Sequence, residues 1–152
     1  VLDTGANIKV AGPVITEAAG STVTVTNGIN FIAEEAPRGG SALSKYITKE
    51  INLTNPSTSL NLRLDISKPA DASVKVYYKT KLISETTSLL DKEYTEFTGL
   101  TIPTSLGGEF YEVEGQLDNL AQFNSVILKI VLLSTNSATV PKAQNLRLIA
   151  LE

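Results

Sequence analysis

The segment Leu60-Asn61-Leu62-Arg63-Leu64-Asp65-Ile66 constrains this chain most, because apolar and polar residues alternate without a break. A period of two places all four aliphatic side chains on one face of an extended strand and the polar ones on the other. Lys68-Pro69-Ala70-Asp71 then reads as a turn. Val74, Val76 and Tyr78 resume the alternation against Lys75, Tyr77 and Lys79. Two half-buried strands joined so closely cannot stand alone and require further strands to cover them.

Those strands are legible downstream and upstream. Tyr46–Leu53 is one run, ended by Thr54-Asn55-Pro56-Ser57, and Tyr94–Phe97 is short. Gly107-Gly108 turns into a strand over Phe110–Val113. Val126–Leu133 is apolar on both faces, the pattern of a central strand covered on both sides. Ser134-Thr135-Asn136-Ser137 and Pro141 break it, and Leu146, Leu148 and Ala150 mark the last strand. Ile83–Lys92 reads as a loop with room for one helical turn. From Lys45 onward this makes an all-β domain of short strands, an antiparallel β-sandwich of jelly-roll type.

The first 40 residues read differently. Ile8-Lys9-Val10 predicts a short strand ended by Gly12-Pro13. Thr22–Thr26, Asn27-Gly28 and Ile29–Ile32 together carry a hairpin signature, since Asn-Gly supplies the positive-φ residues of a tight primed turn. That turn would set Val25 opposite Asn30, so the hairpin lacks a clean apolar face and is expected to lie on something else. Pro37-Arg38-Gly39-Gly40-Ser41 reads as a linker. The expected organisation is therefore an N-terminal hairpin arm and linker over residues 1–40 and a sandwich over 41–152.

Composition excludes several function classes. The net charge of −3, from 13 basic and 16 acidic residues, offers no basic face for nucleic acid. The longest apolar run is interrupted by Lys129 and is too short to cross a bilayer, and no basic-then-apolar start resembles a signal peptide. Neither nucleic acid nor membrane is an expected partner. Cys, His, Met and Trp are all absent. Without His and Cys the commonest general base, metal ligand and thiolate nucleophile are missing. The absence of Met leads to the expectation that the chain is a piece or processed form of a longer polypeptide.

Four motifs still invite a chemical reading. Leu2-Asp3-Thr4-Gly5-Ala6 matches the active-site loop of retroviral-type aspartic proteases, but nothing precedes it to build the supporting strands, and a turn is the simpler reading. Glu109, Glu112, Glu114 and Asp118 carry calcium-type oxygens, yet Glu112 and Glu114 alternate with Tyr111 and Val113 as the wet face of a strand does. Tyr46, Tyr77, Tyr78, Tyr94, Phe97, Phe110 and Tyr111 could line a sugar-stacking face, although such rings more often serve cores and interfaces. Ser41-Ala42-Leu43-Ser44-Lys45 lacks the partner motifs of Ser-Lys hydrolases, and Arg38-Gly39-Gly40-Ser41 lacks the lysine of a phosphate loop. No enzyme activity and no cofactor is expected.

Two segments carry a family resemblance. The first joins Lys45-Tyr46-Ile47-Thr48, Leu60–Ile66, Lys68-Pro69 and Val74-Lys75-Val76-Tyr77-Tyr78-Lys79. The second joins Lys129-Ile130-Val131, Thr135-Asn136-Ser137, Val140-Pro141, Leu146-Arg147 and Ile149-Ala150-Leu151. Together they resemble a domain of virion structural proteins from contractile-tailed phages, T-even-like and marine ones especially. The resemblance covers roughly residues 44–152, with weaker similarity through Thr80–Gln122, and Tyr94 stands where a Trp is expected. It implies a tail or baseplate role, other virion proteins as partners in an oligomeric assembly, and no catalytic residues. Phe31, Ile32, Tyr77, Tyr111, Thr135, Asn136 and Val140 are the candidate contact residues. A carbohydrate-binding module of a fibre or extracellular protein, using Tyr77 or Tyr111, is the alternative.

Overall fold

Strand β5 (Ser59–Ser67) realises the alternation read from the sequence: Leu60, Leu62, Leu64 and Ile66 are buried, and Asn61, Arg63 and Asp65 face outward, half-buried. The computed structural model describes residues 14–18, 22–26, 29, 31–82 and 84–152, with backbone only for 14–18 and 22–26. Its elements in chain order are β1 (Val14–Ala18), β2 (Thr22–Thr26), β3 (Lys45–Ile47), β4 (Ile51–Ser57), β5, β6 (Ala72–Lys81), a single 3-10 turn (Leu89–Asp91), β7 (Thr95–Glu96), β8 (Tyr111–Leu117), β9 (Phe123–Ser134) and β10 (Lys142–Leu151).

All pairings are antiparallel. One sheet runs β10-β5-β8; the other runs β3-β9-β6-β7, with β4 continuing along the same side of β9 as β3. β3 and β4 thus act as one interrupted edge strand, and the sandwich has seven strand positions. The two sheets close over Leu60, Leu62, Leu64 and Ile66 from one side and Val74, Val76, Val126, Leu128 and Ile130 from the other, and Phe97, Val113 and Phe123 belong to the same buried core. The Tyr78 ring meets Phe97 edge-on at 6.0 Å between centroids. The expected all-β antiparallel sandwich of jelly-roll type is the fold of this chain.

Three local expectations are corrected. Tyr46–Leu53 is not one run: β3 and β4 are separated at Thr48–Glu50, where the Thr48 hydroxyl accepts from the Leu128 amide and its own N–H donates to Leu128 O. Thr54–Ser57 is not a turn but the end of β4; an edge strand tolerates Pro56 because one side of its backbone needs no partner. Thr22–Thr26 pairs with β1, in the register Val14↔Thr26 to Ala18↔Thr22, where the sequence predicted a hairpin with Ile29–Ile32. Ile32–Arg38 instead forms a run of turns, with Ala33 at φ 55° and Ser41 N–H donating to Ile32 O. The predicted strand at Ile8–Val10 and the Asn27-Gly28 turn lie outside the described residues.

Leu62 is wholly buried between the sheets, whereas Leu43 is 91% exposed. Leu62→Ala is therefore expected to cost about 2–5 kcal/mol, and Leu43→Ala within about 0.5 kcal/mol of nothing. Urea denaturation of the two variants checks both, and equal effects would contradict the sandwich core.

Candidate assembly surfaces

Strand β9 has two buried faces. Val126, Leu128 and Ile130 enter the inter-sheet core, while Ile127, Lys129 and Val131 point outward and are nevertheless buried. They are covered by residues 31–42 and by the segment around the 3-10 turn, which contribute Phe31, Ala42, Leu89 and Tyr94 to a second apolar cluster with Tyr77. The segment read from sequence as a linker is thus part of this cover. Gly40 is required there: a Cβ would lie 2.6 Å from Glu34 Cα.

At the centre of the cover sits Lys129, with a fully buried side chain. Its ammonium donates to Glu34 O and to Glu34 Oε2 at 3.3 Å, and stands 4.2 Å from the Tyr94 ring and 4.8 Å from that of Tyr77. The other Glu34 oxygen accepts from the Ala42 amide at 2.8 Å. Lys79, also buried, donates to three carbonyls, those of Pro37, Leu90 and Lys92, and lies 4.3 Å from the same Tyr94 ring. Two lysines on the sheet therefore bind the two halves of the cover through carbonyls, one carboxylate and one shared aromatic face. Burial pulls both ammonium groups below their usual value; Glu34 opposes this at Lys129, and the charge of Lys129 adds to it at Lys79.

This places Tyr77 differently from the sequence expectation. It is only 2% exposed, so it is neither a contact residue nor a platform for a sugar ring. Tyr94 and Phe97 are buried as well, and the aromatic row does not assemble into one surface. The reason is parity: Lys75, Tyr77 and Lys79 occupy the face of β6 that alternation marks as wet, and no local pattern signals that a distant segment covers it.

The other candidate residues reach the surface in different ways. Phe31 is half-buried with the Lys75 ammonium 4.8 Å from its ring, and Ile32 beside it is exposed. Tyr111 lies at the start of β8, its hydroxyl donating to Glu109 at 2.8 Å. Thr135 and Asn136 are spent on the loop itself: Thr135 N–H and hydroxyl both donate to Asp71 O, and Asn136 bonds Asp71 and the Ala138 amide. The loop is thereby braced on the β5–β6 turn and holds Val140 out, 61% exposed. The acids with calcium-type oxygens are engaged separately, Glu114 with Asn61 and Arg63, and Asp118 with Gln116. Among the described residues no group of acidic side chains could hold a metal ion. Asp3-Thr4-Gly5 lies outside them.

A groove of about 670 Å³ runs beside the cover, with Pro37, Arg38, Lys49, Glu50, Lys79 and Asp91 in its walls. Its charges are mixed, and the Lys79 ammonium is already committed to carbonyls, so no set of polar groups converges on a ligand.

Comparison with known proteins adds little. No protein-family model matches the chain, and no curated protein does. Among solved structures, the chain is similar to the infectious bursal disease virus VP2 subviral particle at 9% identity and a TM-score of 0.37, over 99% of this chain. This chain spans 40% of that neighbour's length.

Two predictions test the cover. Glu34→Gln leaves Lys129 buried without its carboxylate and is expected to cost about 3–5 kcal/mol, while adding Lys129→Met to it restores most of the loss; urea titration of the single and double variants measures both. The second concerns alkaline pH. Burial, reinforced by Glu96, Glu34 and Glu35, pushes the Tyr77 hydroxyl from 10.0 up to about 12. A raised acid contributes stability that is whole below pH 10 and is lost as pH climbs toward 12. The lowered lysines act oppositely, adding stability as pH rises from their lowered values to 10.5. Tyr77→Phe is therefore expected to flatten the fall in urea midpoint above pH 10, and an unchanged slope would contradict the assignment.

Proposed function

We propose that this chain is a non-catalytic building block of a virion, in the tail or baseplate of a contractile-tailed phage, acting by holding neighbouring proteins in fixed positions. The observation that carries the reading is the kind of surface the fold presents. Its interior is doubly packed around β9, the groove beside the cover lacks convergent chemistry, and among the described residues its distinctive features are a braced loop and open strand edges. Rigid sheets with apolar residues held out on braced loops suit protein–protein contact. The resemblance of residues 44–152 to tail structural proteins supports the same reading and supplies the phage context. Phe31, Ile32, Tyr111 and Val140 are the residues proposed to meet neighbours, with Thr135 and Asn136 shaping the loop that carries Val140.

Of the two rings a glycan-binding role would use, Tyr77 is enclosed, and Tyr111 alone is exposed, with its hydroxyl already donating to Glu109. The assembly role predicts that mass spectrometry of purified particles finds these peptides at a fixed copy number. It further predicts that Val140→Asp lowers incorporation several-fold while leaving the melting temperature unchanged. Peptides absent from particles would contradict it.

A further inference from the structure

In a jelly roll two four-stranded sheets face each other, and the first strand lies beside the last. Here one sheet fills all four positions, as β3/β4, β9, β6 and β7. The other fills three, as β10, β5 and β8, and among the described residues β10 has no partner on its outer side. The empty position lies over β3 and β4. In the winding of the fold it belongs to the strand that directly precedes β3.

Two side chains mark the vacancy independently. Tyr46 stands opposite Ile130 and Ile51 opposite Val126, so both lie on the core-facing side of their sheet. Yet Tyr46 is 56% exposed and Ile51 39%. They are core positions with no strand above them among the described residues.

We propose that this position is taken by β2 of a second copy of the chain. β2 and β1 pair only with each other, and a two-stranded hairpin is marginal in water unless it adds to a larger sheet. The alternation Thr22-Val23-Thr24-Val25-Thr26 gives β2 one valine face, suited to Tyr46 and Ile51, and one threonine face for solvent. Beyond the bulge between Gln144 and Arg147, β10 offers the regular stretch Arg147–Leu151, equal in length to the five-residue β2.

The tether decides which copy supplies the strand. Phe31 sits over Lys75 of β6, on the outer face of the opposite sheet. From Thr26 to Phe31 the chain reaches at most about 17 Å. A path from there around the sandwich to the far side of β10 crosses two layers and two strand spacings, roughly 25 Å or more. The chain's own β2 falls short, and reciprocal exchange between two copies closes a two-fold dimer. This inference deepens the assembly reading and rests on it for its context.

Hydrogen exchange on the full chain, read beside light scattering, tests it. The Arg147–Leu151 amides not bonded to β5 are expected to be protected in the concentrated dimer and to lose protection on dilution to monomer. In the full-length Val23→Pro/Val25→Pro variant that protection is expected to be lost at every concentration, while the Leu60–Ile66 amides stay protected as proof of folding. Protection in a monomer independent of concentration would overturn the proposal in favour of the chain's own strand. Free exchange at all concentrations, or protection surviving in the variant, would overturn it outright. If the chain is present in particles at fixed copy number and these amides still exchange freely, self-pairing fails while the assembly reading stands. Concentration-dependent protection in a chain absent from particles supports self-pairing and removes the assembly reading.

Discussion

The structure depends on a single strand being buried on both faces. β9 pairs with β6 along one side and with β3 and β4 along the other, and each of its faces is packed under a different layer. The inner layer is the ordinary apolar core of a sandwich. The outer layer is thinner and mixed, and it would not close over a sheet that presents Lys79 and Lys129 unless those charges were answered.

The answer is chemical economy in a small space. Glu34 supplies a carboxylate oxygen and its own carbonyl to Lys129, and its remaining oxygen holds the Ala42 amide, so one residue fixes both ends of the covering segment. Lys79 collects carbonyls from Pro37 on one side and from Leu90 and Lys92 on the other, joining that segment to the 3-10 turn. A buried pair of this kind adds little net stability over an apolar replacement, but it is costly to break in half. It therefore specifies where the cover lies more than it strengthens the fold. The outer face of this sheet is therefore already occupied around Lys79 and Lys129, which leaves edges and loops as the surfaces for the proposed assembly role.

The sandwich itself was legible because alternation is a local signal. Leu60–Ile66 and Val74–Tyr78 declare their buried face residue by residue, and the two-sided apolar run of Val126–Leu133 declares a central strand. The cover was not legible, because Glu34 and Lys129 are 95 residues apart and nothing in either neighbourhood marks them as partners. Pro37, Gly39 and Gly40 read as a linker for the same reason: glycine at position 40 is demanded by the close approach of Glu34, a tertiary fact that imitates flexibility in the sequence. Of the candidate contact residues, Tyr77 was misplaced by the assumption that a polar-looking face is a wet one. Val140 is exposed on a braced turn between strands, and such a turn advertises itself through Ser, Asn, Thr and Pro.

Residues 31–42 belong to the folded body through Glu34 and Lys129. The most direct measurement is solution NMR of the Lys129 side chain in the intact protein. A slowly exchanging ammonium, ring-current-shifted ε-protons and Overhauser contacts to Tyr94 and Glu34 are expected. A Lys129 ammonium in fast exchange with water, with no contact to either residue, would contradict it and return residues 31–42 to the role of a linker.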